Sequence, residues 1–165
     1  IEELREKALK IAEKYELEAA KNTGLLSGVP ETLKALKKMG LKIGLCTINS
    51  QKSTSYIVER FGIVDFFDAI IPRDKVKYVK PNTEHLEATL KVLGVNPDET
   101  VVVGDSTIDI KCAKELKTIA VGLPTGLAST EQLINSGTNY LITSITDLPT
   151  LMEYINKVSA AQEEP

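Results

Sequence analysis

Two carboxylates four positions apart, Asp105 and Asp109, close the stretch VVVGDSTIDI (101–110). An apolar strand that ends in Asp presents an oxygen ligand at its tip. The four-residue spacing puts the second acid on roughly the same side of the helix that follows. Such a pair suits a hard cation. Mg²⁺ keeps an octahedral shell of oxygens, several of them water, and takes one or two carboxylates directly. Asp105 is the expected direct ligand, with Asp109 reaching the ion through water. Gly104 and Ser106 permit close backbone approach, and the first amides of the next helix favour negative charge. The plainer alternative is that both acids cap the helix, where Asp is favoured.

A hydroxyl, Thr47, closes a second apolar run, LKIGLCT (41–47), with Asn49 two residues on. A hydroxyl in that position can hydrogen-bond an anion. In VKYVKPNTEHL (76–86), Lys80 precedes a proline, which keeps it extended rather than helical. Its ammonium can reach over a site as a point charge, although a solvated lysine is the ordinary alternative. Asn49 and Ser106 also read as turn or cap residues. His85, the only histidine, falls in the first turn of a helix. A solvated or locally bonded ring is expected there rather than a general base. The lysines of ETLKALKK (31–38) read as a solvated helix side.

These residues need a scaffold that brings strand ends together. The spacing predicts helices at about 29–39, 51–61, 83–93, 107–116, 129–136 and 147–157. Between them lie apolar runs at 41–47, 68–71, 101–105, 118–123 and 140–143. Several of these runs are continuous rather than alternating, as in parallel strands covered on both faces. The alternation predicts a doubly wound, Rossmann-like α/β domain, in which ligands bind beyond the carboxyl ends of the strands. Ahead of it, residues 1–21 read as an amphipathic helix with Ile1, Leu4, Ala8, Ile11 and Tyr15 on one face. The tail AAQEEP is expected to fray.

Composition is consistent with that picture. The 165 residues are 42% hydrophobic and 26% charged, with net charge −3. That is ordinary globular composition. It offers no general basic surface for nucleic acid. No apolar run approaches the roughly 18 residues of a membrane span, and no secretory leader is visible. The cytoplasm is the expected location. Cys46 and Cys112 are expected as buried free thiols.

Together these stretches resemble the haloacid dehalogenase superfamily, in particular its phosphoglycolate-phosphatase-like branch. LKIGLCTINS matches the strand ending in Thr, KPNTEHL the lysine motif and VVVGDSTIDI the acidic motif, in the family's order. Gly28 in LLSGVPETLKAL matches the turn before the second motif's helix. Thr83 stands where relatives often have a second proline. The resemblance covers about 25–157. It implies a core at 25–165 and, at 1–24, one helix of the small cap that this branch inserts. It also implies a Mg²⁺-dependent phosphatase of small phosphorylated metabolites, working through an aspartyl-phosphate. Thr47 and Asn49 would bind the phosphoryl group, Lys80 would neutralise charge, Asp105 would ligate Mg²⁺, and Asp109 would orient a metal water or Lys80.

The family's first motif, DxDGT, supplies the nucleophile, and this sequence has no DxD. Its aspartates are Asp65, Asp68, Asp74, Asp98, Asp105, Asp109 and Asp147, and only Asp105 ends an apolar strand. With an Ile at position 1, the expectation is a missing N-terminal segment that carries the nucleophile and most of the cap. By the resemblance, its strand would lie between LKIGLCT and VVVGD. The chain alone is then expected to lack turnover. The alternatives are a non-catalytic binding or regulatory module of the same fold, or a sugar-phosphate mutase. A metal-independent dehalogenase is disfavoured by the paired acids.

Overall fold

The computed structural model describes residues 1–163. Its contacts divide the chain into two compact units, one of Ile1–Leu25 with Lys42–Pro97, the other of Leu26–Leu41 with Asp98–Pro165.

The first unit contains α1 (Glu2–Asn22), β1 (Gly44–Cys46), α3 (Gln51–Arg60), β2 (Ala69–Ile71) and α4 (Thr83–Leu93). β1 and β2 pair in parallel, with Gly44 opposite Ala69 and Cys46 opposite Ile71. α4 packs on both strands. It buries Leu86, Leu90 and Leu93, three and four residues apart, alongside the buried Ala69 and Ile71 of β2. Asn82 starts this helix by accepting the Glu84 N–H at 2.9 Å, and Gly94 ends it with a positive φ.

The second unit contains α2 (Val29–Lys38), β3 (Val101–Gly104), α5 (Thr107–Glu115), β4 (Ile119–Gly122), α6 (Thr130–Asn135), β5 (Tyr140–Leu141) and α7 (Leu148–Glu163). Its sheet is parallel throughout, in the order β3-β4-β5, with Val101 opposite Ile119 and Val121 opposite Tyr140. Ile110, Ala113, Ala120, Ala128 and Leu133 form its buried core, joined by Val102 and Leu141. Ser129 and Gln132 close a reciprocal capping box at the start of α6.

The predicted α/β class with parallel strands is what the backbone adopts. Element positions agree to within a few residues, and the differences have physical causes. β1 and β3 are less enclosed than their apolar runs suggest: Gly44 is exposed and the rest of both strands is half-buried. Among the described residues β1 pairs only with β2 and β3 only with β4, so each keeps one unpaired edge. The tail is helical through its first four residues, because α7 continues to Glu163, and the rest of it lies outside the described residues. Among the described residues no helix is long and apolar enough to cross a membrane. Cys46 and Cys112 are free thiols, the first half-buried and the second buried.

α1 departs most from the expectation raised by its periodicity. Its apolar stripe faces solvent, with Leu4 72%, Ile11 59% and Tyr15 65% exposed. The helix packs on α3 through its other side, where Ala20 is buried and Glu13 and Glu16 are half-buried. Glu16 accepts the Ser50 N–H at 3.0 Å, the first orphan amide of α3, and pairs with the Arg73 guanidinium. Lys52 Nζ donates to Glu13 at 3.0 Å, and Arg60 donates to the carbonyls of Ala20 and Thr23 at 2.8 and 2.7 Å. These polar contacts seat the helix together with Ala12, Leu17 and Ala20 on the same enclosed side.

Burial alone would raise the Glu16 pKa, but the hydrogen bond from Arg73 and the Ser50 amide outweigh it, so the carboxyl titrates below its ordinary value near 4.5. A depressed carboxylate pKa adds stability that is present above the ordinary value and is lost as pH falls through the folded one. Glu16→Ala is expected to cost about 1–2 kcal/mol at neutral pH, the range of a partly exposed charged hydrogen-bond group. Urea unfolding at pH 7 and pH 3 checks this: the difference between variant and wild type should shrink at the lower pH.

Candidate functional site

Thr47 follows β1 directly, and its N–H donates to the Ile71 carbonyl at 3.1 Å, extending the ladder by one residue. Its hydroxyl accepts the Asn49 N–H at 3.2 Å. That bond uses an oxygen lone pair and leaves the O–H to donate. Asn49 is held at both backbone groups, since its carbonyl accepts the Arg73 N–H at 3.1 Å. Lys80 is half-buried, and its ammonium donates to the Cys46 carbonyl at 2.8 Å. The lysine therefore reaches the carboxyl end of β1, next to Thr47. The structure brings Thr47, Asn49 and Lys80 together at that end.

His85 is not solvated. Its ring is completely buried, with Nε2 2.9 Å from the Ile71 carbonyl oxygen and Nδ1 accepting the Lys80 N–H at 3.5 Å. α4 places it against the carboxyl end of β2, where no solvent reaches. Burial is the main reason its pKa falls below the usual histidine value; the nearby Lys80 charge lowers it too, while the Ile71 bond and Glu84 oppose the shift.

In the second unit, Asp105 follows β3 and is exposed. The N-cap of α5 is Ser106, whose hydroxyl accepts the Ile108 N–H at 3.2 Å. Ser106 thus performs the capping that was the plainer reading of Asp105. Asp109 is buried in the first turn of α5. Gly104 is what lets it approach: a Cβ at residue 104 would overlap the Asp109 Cβ and lie 2.8 Å from its Cγ and Oδ2. The loop after β4 comes equally close to the other acid, because a Cβ at Gly126 would overlap Asp105 Oδ2. One carboxylate is wedged against the strand, and the other lies in a recess that only glycine leaves open.

Comparison with known proteins decides the family. The model for haloacid dehalogenase-like hydrolases matches residues 1–122. The chain belongs to that family. The Pyrophosphatase PpaX of Halalkalibacterium halodurans is 34% identical over 123 residues, which cover 73% of this chain and 56% of that protein. A hydrolase from Pseudomonas syringae superposes with a TM-score of 0.76 at 26% identity, over 84% of this chain and 64% of the other. A predicted phosphoglycolate phosphatase from Haemophilus somnus gives 0.74 at 26% identity, over 78% and 57%. The chain therefore spans less than two thirds of the length of each of these relatives. The parallel α/β fold is consistent with the Rossmann-like core of haloacid dehalogenase-like hydrolases.

Members of this family generally use Mg²⁺, and the acids present fit it. Both donors are oxygen, and Asp105 is exposed and not committed as a cap. Among the described residues no three or more His, Cys, Asp and Glu side chains cluster into a metal cage. A pair of carboxylates completed by water and substrate is the arrangement Mg²⁺ commonly accepts.

One participant was not singled out from the sequence. Gly126 lies in PTGLAS, where a glycine reads as an ordinary turn residue. His85 was expected to be solvated or locally bonded, and local bonding to Ile71 and Lys80 is what it adopts. Gly126→Ala tests the recess. The clash falls on a side-chain end that can swing away, so melting temperature should change little, by the equivalent of about 0.5 kcal/mol or less. The Asp105 carboxylate should leave its position, and Mn²⁺ titration followed by paramagnetic broadening should show weaker binding than in wild type. Unchanged Mn²⁺ affinity would separate the recess from any cation site.

Proposed function

We propose that this chain carries the phosphate-binding and cation-binding side chains of a Mg²⁺-dependent phosphatase of small phosphorylated metabolites. The observation that carries the reading is that the Lys80 ammonium bonds the carbonyl of Cys46, the residue immediately before Thr47 at the end of β1. The family membership supports it, as do the printed names of the relatives, which describe a pyrophosphatase and a phosphoglycolate phosphatase.

Phosphoryl transfer asks a protein chiefly for positioning and charge stabilisation. Thr47 donates a hydrogen bond to a phosphoryl oxygen. Lys80 neutralises charge on the phosphoryl group and on its attacker. Asn49 holds the Thr47 oxygen in place through its N–H. Asp105 would hold Mg²⁺ directly, and Asp109 would act on it through water. The ion supplies charge neutralisation at the phosphoryl oxygens when bound. The attacking carboxylate comes from chain outside these residues, since none of the aspartates except Asp105 ends a strand. It attacks phosphorus, the ester P–O bond breaks and the alcohol departs. Water then attacks phosphorus, breaks the aspartyl–phosphate bond and frees inorganic phosphate. The segment that brings this carboxylate is the partner we infer, and the rest of the cap beyond α1 belongs to the same inference. Two free thiols suit the reducing cytoplasm as the location.

Steady-state turnover of a phosphate monoester by the full-length protein tests the proposal. Asp105→Asn and Lys80→Ala should each lower kcat/KM by about 100-fold or more, as loss of one group that stabilises transition-state charge does. Residues 1–165 alone should show no turnover. Wild-type turnover by Asp105→Asn at low Mg²⁺ would leave Asp105 with no metal role. Turnover by the isolated chain that disappears in that variant would make Asp105 the nucleophile instead.

A further inference from the structure

One carbonyl and one ring connect the two residues assigned to the phosphoryl group. The Ile71 carbonyl accepts the Thr47 N–H at 3.1 Å and also lies 2.9 Å from His85 Nε2. The other ring nitrogen, Nδ1, takes the Lys80 N–H at 3.5 Å. A backbone amide only donates, and a carbonyl only accepts. The ring is therefore the neutral tautomer with its proton on Nε2. Read in order, Thr47 donates to Ile71, His85 donates to the same oxygen, and Lys80 donates to His85. The helix side of the ring is fixed as well: the His85 carbonyl accepts from Thr89 Oγ1 at 3.0 Å and from Cys46 Sγ at 3.7 Å. The middle of this relay, Ile71 and the His85 ring, is buried, while Thr47 and Lys80 at its two ends are half-buried.

We propose that the neutral imidazole of His85 is the positioning group for Lys80, setting its backbone against the ends of β1 and β2 so that its ammonium reaches the Thr47 site. This rests on the reading of Lys80 as a phosphoryl-binding residue. An apolar side chain of similar size would fill the same space but would give the Lys80 N–H no acceptor. Glutamine or asparagine could supply only one of the two bonds. Protonation of the ring would break the arrangement from inside, since a proton on Nδ1 would point at the Lys80 N–H. The charged or titratable groups around the ring are the Lys80 ammonium, Glu84 on the same helix and the Cys46 thiol on β1; β2 contributes none.

Three measurements on the full-length protein test the proposal. In His85→Leu, kcat for a phosphate monoester should fall by about 10- to 100-fold, the cost of a misplaced catalytic group, with KM changing less. His85→Asn puts an acceptor near the Nδ1 position and should recover part of the lost kcat. In the wild type, ¹⁵N spectra should show the ring titrating below the ordinary histidine range, with the Lys80 amide shift following the same midpoint. A packing residue would give no Asn rescue and no coupled amide. Wild-type kcat in His85→Leu, or a Lys80 amide silent through the ring's titration, overturns the proposal. If His85→Leu does not fold, the wild-type titration decides alone. Undiminished turnover in Lys80→Ala removes the underlying reading of Lys80 and the positioning role with it. A dead Lys80→Ala beside a fully active His85→Leu removes the positioning role only.

Discussion

The first unit is organised by the two lone pairs of one carbonyl oxygen. Ile71 ends β2, and a strand's last carbonyl needs partners once it is buried. One partner is the Thr47 amide, which aligns the end of β1 with the end of β2. The other is the His85 ring, which brings the start of α4 to the same point. Everything with chemical potential in this unit hangs from that junction: the Thr47 hydroxyl one residue beyond β1, and the Lys80 loop immediately before α4. Hydrogen bonds in such a chain polarise one another in a low-dielectric interior, which raises the cost of losing any one member.

The second unit positions its acids by sterics instead. The buried Asp109 lies where a side chain on residue 104 would stand, so it can sit there only because that residue is glycine. Asp105 is exposed and is confined by the loop at Gly126 rather than by burial. A fixed inner carboxylate and an outer one facing water suit an ion that retains part of its hydration shell. Ser106 takes over the cap, which frees the outer acid from the role that its place before a helix would otherwise give it. Whether an Asp placed before a helix caps it thus depends on the neighbouring residue.

Much of this was legible in the sequence, and what was not has definable causes. Apolar runs separated by helical periods fixed the order of elements, since burial of one face imposes those periods directly. Asp105, Thr47 and Lys80 could be named because each adjoins an apolar run or a proline, local signals that do not depend on the rest of the chain. The docking of α1 could not be read. Periodicity located a stripe through Ile1, Leu4, Ile11 and Tyr15, but the enclosed side is a mixed one, Ala12, Glu13, Glu16, Leu17 and Ala20, whose Glu16 reaches Ser50 and Arg73, residues 34 and 57 positions away. The role of His85 was hidden for the same reason. Its partners at Ile71 and Lys80 are backbone groups, and backbone groups carry no residue identity for a motif to record.

The division of labour within the chain follows from what ends each strand. β1 runs into Cys46 and Thr47, β2 into Ile71 and Pro72, β4 into Gly122 and Leu123, and β5 into Leu141 and Ile142; only β3 runs into a carboxylate. A strand tip is where a parallel α/β sheet can aim a side chain at a ligand with its backbone held by the ladder. The tips of the first unit offer a hydroxyl and a lysine-bound carbonyl, and that of β3 in the second unit a carboxylate. On the proposed reading these would bind, neutralise and orient a phosphoryl group. On the proposed reading the nucleophilic carboxylate would come from a further strand tip of the same kind. Among the described residues β1 and β3 each present an unpaired edge, where backbone groups are open to another strand.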